Sequence, residues 1–370
     1  MNCRPIALCC LLLALPGFSL AQDAGGLLVA VKGRVWVQPP GAEEYRARAG
    51  EQLAAGTRIR TGADGQAEIE LEDGSTLVVR DRSSIQLSGI RRQKERKTSL
   101  LIFFGRVWNK ISRAVGKQAR YEIHTPVLVA GVRGTRFEAG VGDDGSVRIV
   151  VQEGVVAVTG DRRGETLHRD QEIEADADGL SPLQATPEQV NWYQWRAGKR
   201  DRLRSEGRKI VNSFARRIDS RREKLSADRA RQKEIEGLRA AALAAAREGD
   251  PEAVEQVRRY NDELVTIADR IADLGDAAGS QFGLVNHFAE LAQDPDFQMV
   301  EGDYVKAEAA RMLRIKEEFD RMVAEGTDIS MEAMEKMLQE MSDGRRGSLR
   351  FKKGSSAQDL WGDEQKETTP

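Results

Sequence analysis

The stretch from Gly56 to Gly74, GTRIRTGADGQAEIELEDG, returns in altered form from Gly134 to Gly154, GTRFEAGVGDDGSVRIVVQEG. Glycines at both ends, a charged turn near the middle and a strand-like run after it make a unit too short to bury its own apolar face. Such a unit must share a core with its neighbours, and no other feature of the chain restricts the fold as much. Three further segments open in the same manner: Gly33-Arg34-Val35-Trp36, Gly105-Arg106-Val107-Trp108 and Gly154-Val155-Val156. They read as short β units stacked or paired on one another, with glycine supplying positive φ at the turns and alternating residues filling a common core. A duplicated binding site is the competing reading.

Between about Leu27 and Leu183 the pattern is that of strands. Ala67, Ile69 and Leu71 alternate with polar or charged neighbours, the period of a strand with one buried and one wet face. Val147 to Val151 and Val155 to Val158 are β-branched runs on either side of Glu153-Gly154. From Thr186 onward the pattern becomes helical. Thr186-Pro187-Glu188-Gln189 reads as a capping box that starts a helix, Asp250-Pro251-Glu252 starts another after Gly249, and Ser330 caps a last one.

Ala253, Val257, Tyr260, Leu264, Ile267, Ile271 and Leu274 are spaced as an a/d seam, which predicts pairing with a partner helix. Val305, Met312, Ile315, Phe319 and Met322 form a similar stripe, and Leu203, Ile210, Phe214, Ile218 and Leu225 a narrower one. Loops at Gly249, around Gly275, near Asp294-Pro295 and at Gly326 would fold these segments into antiparallel hairpins. The expected architecture is α+β over the whole chain. An all-β, solenoid-like domain over 22–183 is followed by an α-helical, hairpin or coiled-coil-like module over 184–345. A disordered tail is expected over 346–370.

The N-terminus, MNCRPIALCCLLLALPGFSLAQ, has the layout of a secretory signal peptide over 1–21, with cleavage near Ala21. All three cysteines, Cys3, Cys9 and Cys10, fall inside it, so the exported chain would carry no disulfide and no thiolate ligand. Leu8 precedes Cys9 where lipid attachment calls for a small residue. No later segment is long and apolar enough for a membrane helix, and the expected location is periplasmic or secreted. Charged residues make up 31% of the chain, yet the formal net charge is only −2, so nothing global demands nucleic acid or an anionic surface.

Chemistry-bearing motifs are sparse. Gly140-Val141-Gly142-Asp143-Asp144-Gly145 fits G-x-G-x-x-G, but the strand-like run Ser146-Val147-Arg148-Ile149 follows where a dinucleotide fold needs a helix, so it reads as a hairpin turn. Glu174, Asp176, Asp178 and Gly179 resemble half a calcium loop, but Ala185 stands where a bidentate Glu is required. His124, His168 and His287 are too scattered for a metal or triad spacing, and His124 reads as a structural hydrogen-bonding residue. No cofactor, metal or catalytic residue is expected. Between Arg196 and Lys233 the chain carries 15 Lys or Arg against 5 Asp or Glu. This is either a solvated helix face or a contact with anionic lipid, wall polymer or an acidic partner domain. Trp192, Tyr193 and Trp195 would anchor that helix on the β domain or sit at an interface. Met331, Met334, Leu338 and Met341 share a helix face, read as core or as an adaptable protein-binding groove.

The string His124 to Phe137, HTPVLVAGVRGTRF, closely resembles the FecR domain, together with Gly56 to Gly62, Asp73-Gly74-Ser75 and the closing strand at Glu153-Gly154-Val155. The positions that carry the resemblance are Thr125, Pro126, Val132, Arg133, Gly134, Thr135 and Phe137, and it extends over roughly Leu27 to Val158. It implies an all-β periplasmic domain of the kind that senses an outer-membrane transporter and informs a sigma factor. The motif residues are expected to be structural. No cytoplasmic sigma-binding segment is seen before the apolar stretch, so the chain is similar to stand-alone exported members. The expected function is a non-catalytic periplasmic interaction, sensing or scaffold module, with cell-wall or polysaccharide binding as the alternative. The expected partner is an envelope protein or wall polymer, with neither nucleic acid nor a membrane span, and the helical region is a site for homo-oligomer contact.

Overall fold

The computed structural model describes residues 24–92, 95–112 and 119–344. The expected signal peptide over 1–21 with Cys3, Cys9 and Cys10, and the expected tail over 346–370, lie outside the described residues. Side chains at 24, 89–92, 95–97, 119–120 and 328–344, and with the last of these the methionine face at Met331 to Met341, are also outside the description.

The chain winds between two sheets. Strand β1 (Ala24–Lys32) lies in the first, and β2 (Val35–Gln38) and β3 (Tyr45–Arg46) lie in the second. The chain returns to the first sheet for β4 (Gln52–Ala54), crosses for β5 (Arg58–Thr61), and comes back for the hairpin β6 (Gln66–Glu70) and β7 (Thr76–Val79). The second sheet then receives β8 (Ser84–Arg92) and the first part of β9 (Glu95–Lys110), whose last part belongs to the first sheet. Hairpins alternate after that. The pair β10 (Ala119–His124) and β11 (Leu128–Val132) is in the second sheet, and β12 (Arg136–Val141) with β13 (Val147–Glu153) is in the first. The pair β14 (Val155–Gly160) and β15 (Gly164–His168) returns to the second. Finally β16 (Gln171–Asp176) joins β13 in the first, with β17 (Gly179–Leu180) and β18 (Gln184–Ala185) paired to it. Every described pairing is antiparallel except β9 with β10. This back-and-forth course is the all-β, solenoid-like region.

Left-handed backbone marks the crossings. Gly33 (φ 61°), Gly50 (88°), Gly56 (85°), Arg82 (46°), Gly105 (96°), Gly134 (62°), Gly154 (86°) and Asp170 (61°) each stand where the chain changes sheet. Gly105 shows why glycine is required: it sits inside β9 at the change of sheet, and a Cβ there would fall 2.2 Å from Ser83 Oγ. The twin phrases share this device. In both, a positive-φ glycine is followed by a buried threonine (Thr57 and Thr135, 1% and 2% exposed) and by an arginine, Arg58 or Arg136, that opens a strand. They also share a turn. Asp73-Gly74-Ser75 and Asp144-Gly145-Ser146 both place the serine N–H 2.9 Å from the aspartate Oδ1, with glycine φ of 75° and 79°. Between those points they diverge, because β5 leads into the other sheet whereas β12 folds straight back on β13.

Three long helices follow: α1 (Trp192–Arg247), α2 (Pro251–Leu291) and α3 (Gly302–Gly344). The second begins as expected, with Asp250 Oδ1 accepting from Glu252 N at 2.9 Å just after Gly249 (φ 101°). The first begins later than the Thr186 capping box predicts. Thr186 N is committed to Asp170 O (2.8 Å) beside β18, and Asn191 is the cap, its Oδ1 accepting from Gln194 N at 2.9 Å. The loops expected at Gly275 and Gly326 and the start expected at Ser330 are absent, since α2 and α3 run through them. Those two glycines serve close packing: a Cβ would lie 3.0 Å from Val323 at Gly275 and 2.8 Å from Ile271 at Gly326.

The described residues group into two compact units. One comprises those up to Ala215 with Asp276–Met312, the other Arg216–Gly275 with those from Leu313 onward. In the first, Phe103, Phe137, Phe214, Phe282 and Phe288 are fully buried, each worth about 2–3 kcal/mol of burial. In the second, Ile218, Leu225, Leu264, Ile267, Ile271 and Phe319 are buried, so much of the a/d seam is covered within the chain. A polar chain leads from that core to the surface: buried Arg229 donates to buried Gln232 Oε1 (2.6 Å) and to exposed Glu325 Oε2 (3.1 Å), and Gln232 donates to Gly326 O (2.8 Å).

Candidate functional site

A dense polar constellation in the first unit joins the turns of the first sheet to the start of α1. Helical spacing places Arg196, Lys199, Arg200 and Arg202 along the first turns of α1, and the strands end in carboxylates that meet them. Arg196 Nη1 lies 3.1 Å from Asp81 Oδ2, and Lys199 Nζ lies 3.1 Å from Glu174 Oε2. Arg200 Nη1 is 3.1 Å from Asp143 Oδ2, and Arg202 Nη1 is 3.1 Å from Asp144 Oδ2 and 3.2 Å from Asp176 Oδ2. The cationic start of the helix is therefore matched by acids of the same unit.

Asp143 and Asp144 belong to the run that fits G-x-G-x-x-G, and the run is a hairpin turn: Gly145 N donates to Gly142 O and β12 pairs antiparallel with β13. Burial acts to raise the Asp143 carboxyl, but hydrogen bonding and charge from His287 and Arg200 outweigh it and hold the group at about 2. His287 Nε2 is 2.9 Å from Asp143 Oδ1, and its ring stacks on Phe104 at 3.8 Å. Burial raises Asp144 despite bonds from Ser146 N and Oγ and the nearby charges of Lys199 and Arg202.

Trp192 and Trp195 anchor the helix. Trp192 is 8% exposed, its ring lies so close to β12 that a Cβ on Gly140 would fall 2.5 Å from it, and Arg106 and Arg148 stand over it at 5.4 and 5.7 Å. Trp195 Nε1 donates to Glu174 Oε1 at 2.9 Å, whereas Tyr193 is 84% exposed. Between this helix start and β16 runs an open cleft of about 500 Å³ lined by Arg148, Glu174, Gln189, Gln194, Trp195, Lys199 and Arg202. Of the acids read as half a calcium loop, Glu174 lines this cleft, while Asp176 Oδ1 accepts from Asp178 N (2.8 Å) in the β16–β17 turn; Glu174 and Asp176 meet Lys199 and Arg202 of α1.

The FecR-like motif residues lie elsewhere, and none lines this cleft. Thr125 Oγ1 donates to Leu128 O (2.7 Å) and accepts from Leu128 N (3.1 Å), closing the β10–β11 turn, and Pro126 O accepts from Gln281 of α2 at 2.8 Å. Val132 and Phe137 are buried, Gly134 and Thr135 form a sheet crossing, and Arg133 is exposed. His124, 2% exposed, sets Nε2 3.2 Å from Glu122 Oε2 and 3.9 Å from Asp276 Oδ2. Arg58 stacks on Phe103 at 4.4 Å, and burial lowers its pKa from the usual guanidinium value. Sequence reasoning did not foresee the pairing of His287 with Asp143, 144 positions apart, because spacing along the chain carries no trace of it.

Residues 57–157 match the model of the FecR protein family. Two crystal structures of a putative anti-sigma factor from Parabacteroides distasonis ATCC 8503, at 1.65 and 2.50 Å, are similar to part of the chain. Each has 14% identity and a TM-score of 0.31, covering 35% of this chain and 59% of that one. No curated protein matches. The chain thus contains a FecR region, which supports a role in signalling or sensing. Among the described residues no helix is long and apolar enough to cross a membrane.

Proposed function

We propose that the chain is a non-catalytic sensing or interaction module of the cell envelope, exported after removal of a signal peptide near Ala21. The FecR match over 57–157 is the observation that carries this reading. In it, Thr125, Pro126, Val132, Arg133, Gly134, Thr135 and Phe137 serve the scaffold, the β domain spans 22–183 and the helical module spans 184–345. The partner is an envelope protein. The two acid–histidine pairs, Asp143 with His287 and Glu122 with His124, are enclosed between strands and α2, which supports structural duty. The wall-polymer reading relied on free charge along Arg196 to Lys233, and the first cations of that run face carboxylates of their own unit. Self-association through the helical region would have to use exposed apolar residues such as Leu238, Val254 and Val265, because most of the seam is covered.

Incubating the full chain with purified wall material and, separately, with solubilised envelope proteins across a salt series tests the reading. A protein partner retained at salt that abolishes sedimentation with wall material is the expected result. Salt-sensitive association with wall material and with no protein would overturn it.

A further inference from the structure

Gly198 has no packing reason to be glycine. It sits inside α1, where only proline is less favourable, its φ is not positive, and an added Cβ would meet nothing within 4 Å. A Cβ at Gly207 of the same helix, by contrast, would come within 3.0 Å of Met299 and Val305. Gly198 is exposed and lines the cleft of about 500 Å³ beside the start of α1. Asn191, Gln194, Trp195, Gly198 and Arg202 recur in its wall at helical spacing, so they form one continuous face of α1. From 191 to 202 that face runs roughly 16 Å, the span of about five residues of extended chain. A second hollow of about 310 Å³ adjoins it, sharing Glu174 and Lys199. Gly237 is equally free of contacts but lines neither hollow.

The chemistry of the walls narrows the occupant. Each cation is already met by a carboxylate: Arg148 by Glu172 (2.6 Å), Lys199 by Glu174 (3.1 Å), and Arg202 by Asp144 (3.1 Å) and Asp176 (3.2 Å). The cleft therefore favours an occupant without net charge over an anion or a strongly charged segment. Pro187 and Trp195 are its only apolar side chains, too few to hold an apolar ligand. Trp195 is a poor platform for a sugar ring, because Lys199 Nζ stands 5.5 Å over it, Trp192 meets it at right angles and its Nε1 is taken by Glu174. Amides remain. Gln189 and Gln194 are exposed, and among the described residues neither side-chain NH2 has an acceptor. A primary amide sets a donor beside an acceptor, which is the complement of a peptide group. We propose that this cleft receives an extended, largely uncharged peptide segment of the protein partner. Its main chain bonds to Gln189 and Gln194 and lies along Gly198, where a side chain would stand in its way. The inference rests on the reading that the chain engages a protein.

A random decapeptide library displayed on phage and panned against the full chain supplies the probe, and the most enriched sequence is synthesised and titrated by fluorescence anisotropy. Enriched sequences should be poor in charged residues, and binding should barely change with salt. Gly198→Leu, which fills the path along the helix face, should weaken binding roughly tenfold or more. Gly198→Ala should raise the thermal midpoint and Gly198→Leu should not lower it, which separates a blocked cleft from a damaged helix. Gln189→Ala with Gln194→Ala should weaken binding severalfold and keeps the test decisive if the leucine disturbs α1. Tyr193→Ala, at a position 84% exposed and outside the cleft, should bind like wild type. No enriched peptide, binding that collapses with salt, affinity unchanged in both cleft variants, or binding of a neutral oligosaccharide and of no peptide would overturn the proposal. In the incubation with solubilised envelope proteins, a protein retained equally by wild type and Gly198→Leu would overturn the cleft alone. Retention of no protein by the wild type would overturn the sensing reading and this one together.

Discussion

Asp143 accepts from a histidine and an arginine at once, and its carboxyl is held at about 2 against an ordinary value of ~3.9. A carboxylate depressed in the folded state stabilises the fold above its unfolded pKa and loses that contribution as pH falls through the folded one. Wild type should therefore exceed Asp143→Asn in stability by about 2 kcal/mol or less at neutral pH. In urea titrations the gap should close between about pH 4 and pH 2. A gap that stays constant over that window would contradict the assignment. Gly105 makes a second, pH-independent prediction. With φ at 96° and Ser83 Oγ 2.2 Å from the added Cβ, Gly105→Ala should cost about 2 kcal/mol or more, read as a lowered denaturation midpoint.

At the scale of elements, Asn191 rather than Thr186 caps α1, so Asn191→Ala should lose about 1 kcal/mol and Thr186→Ala clearly less. Gly326→Val should destabilise the second unit by about 1–3 kcal/mol, because the side chain enters space held by Ile271 of α2. These two cases also mark where the sequence was legible. Alternation in Gln66 to Glu72, the stripe from Leu203 to Leu225 and the glycine openings all follow from local sterics or from one buried face, and each corresponds to an observed element. The glycines at 275 and 326 look like helix stops until the neighbouring helix is in place, since close approach is a tertiary property. The cap at Asn191 was hidden by a better local signal five residues earlier, whose backbone N–H is taken by Asp170 O.

For the whole molecule, the family match covers residues 57–157, well under half of the chain. The carboxylates that meet α1 lie on both sides of that boundary: Asp81, Asp143 and Asp144 within it, Glu174 and Asp176 beyond it. The cleft beside them was not readable beforehand, because its walls come from β13, β16 and the residues around the start of α1, which meet only in the folded chain. The strand-to-helix change was readable, since periodicity alone sets 2.0 against 3.6 residues per repeat. A photoreactive side chain at Gln194, exposed on the cleft, provides the most direct test of the account in intact envelopes. Irradiation should yield a discrete adduct with an envelope protein. No protein adduct, or capture of wall polymer alone, would contradict the central claim that this chain works by engaging a protein partner.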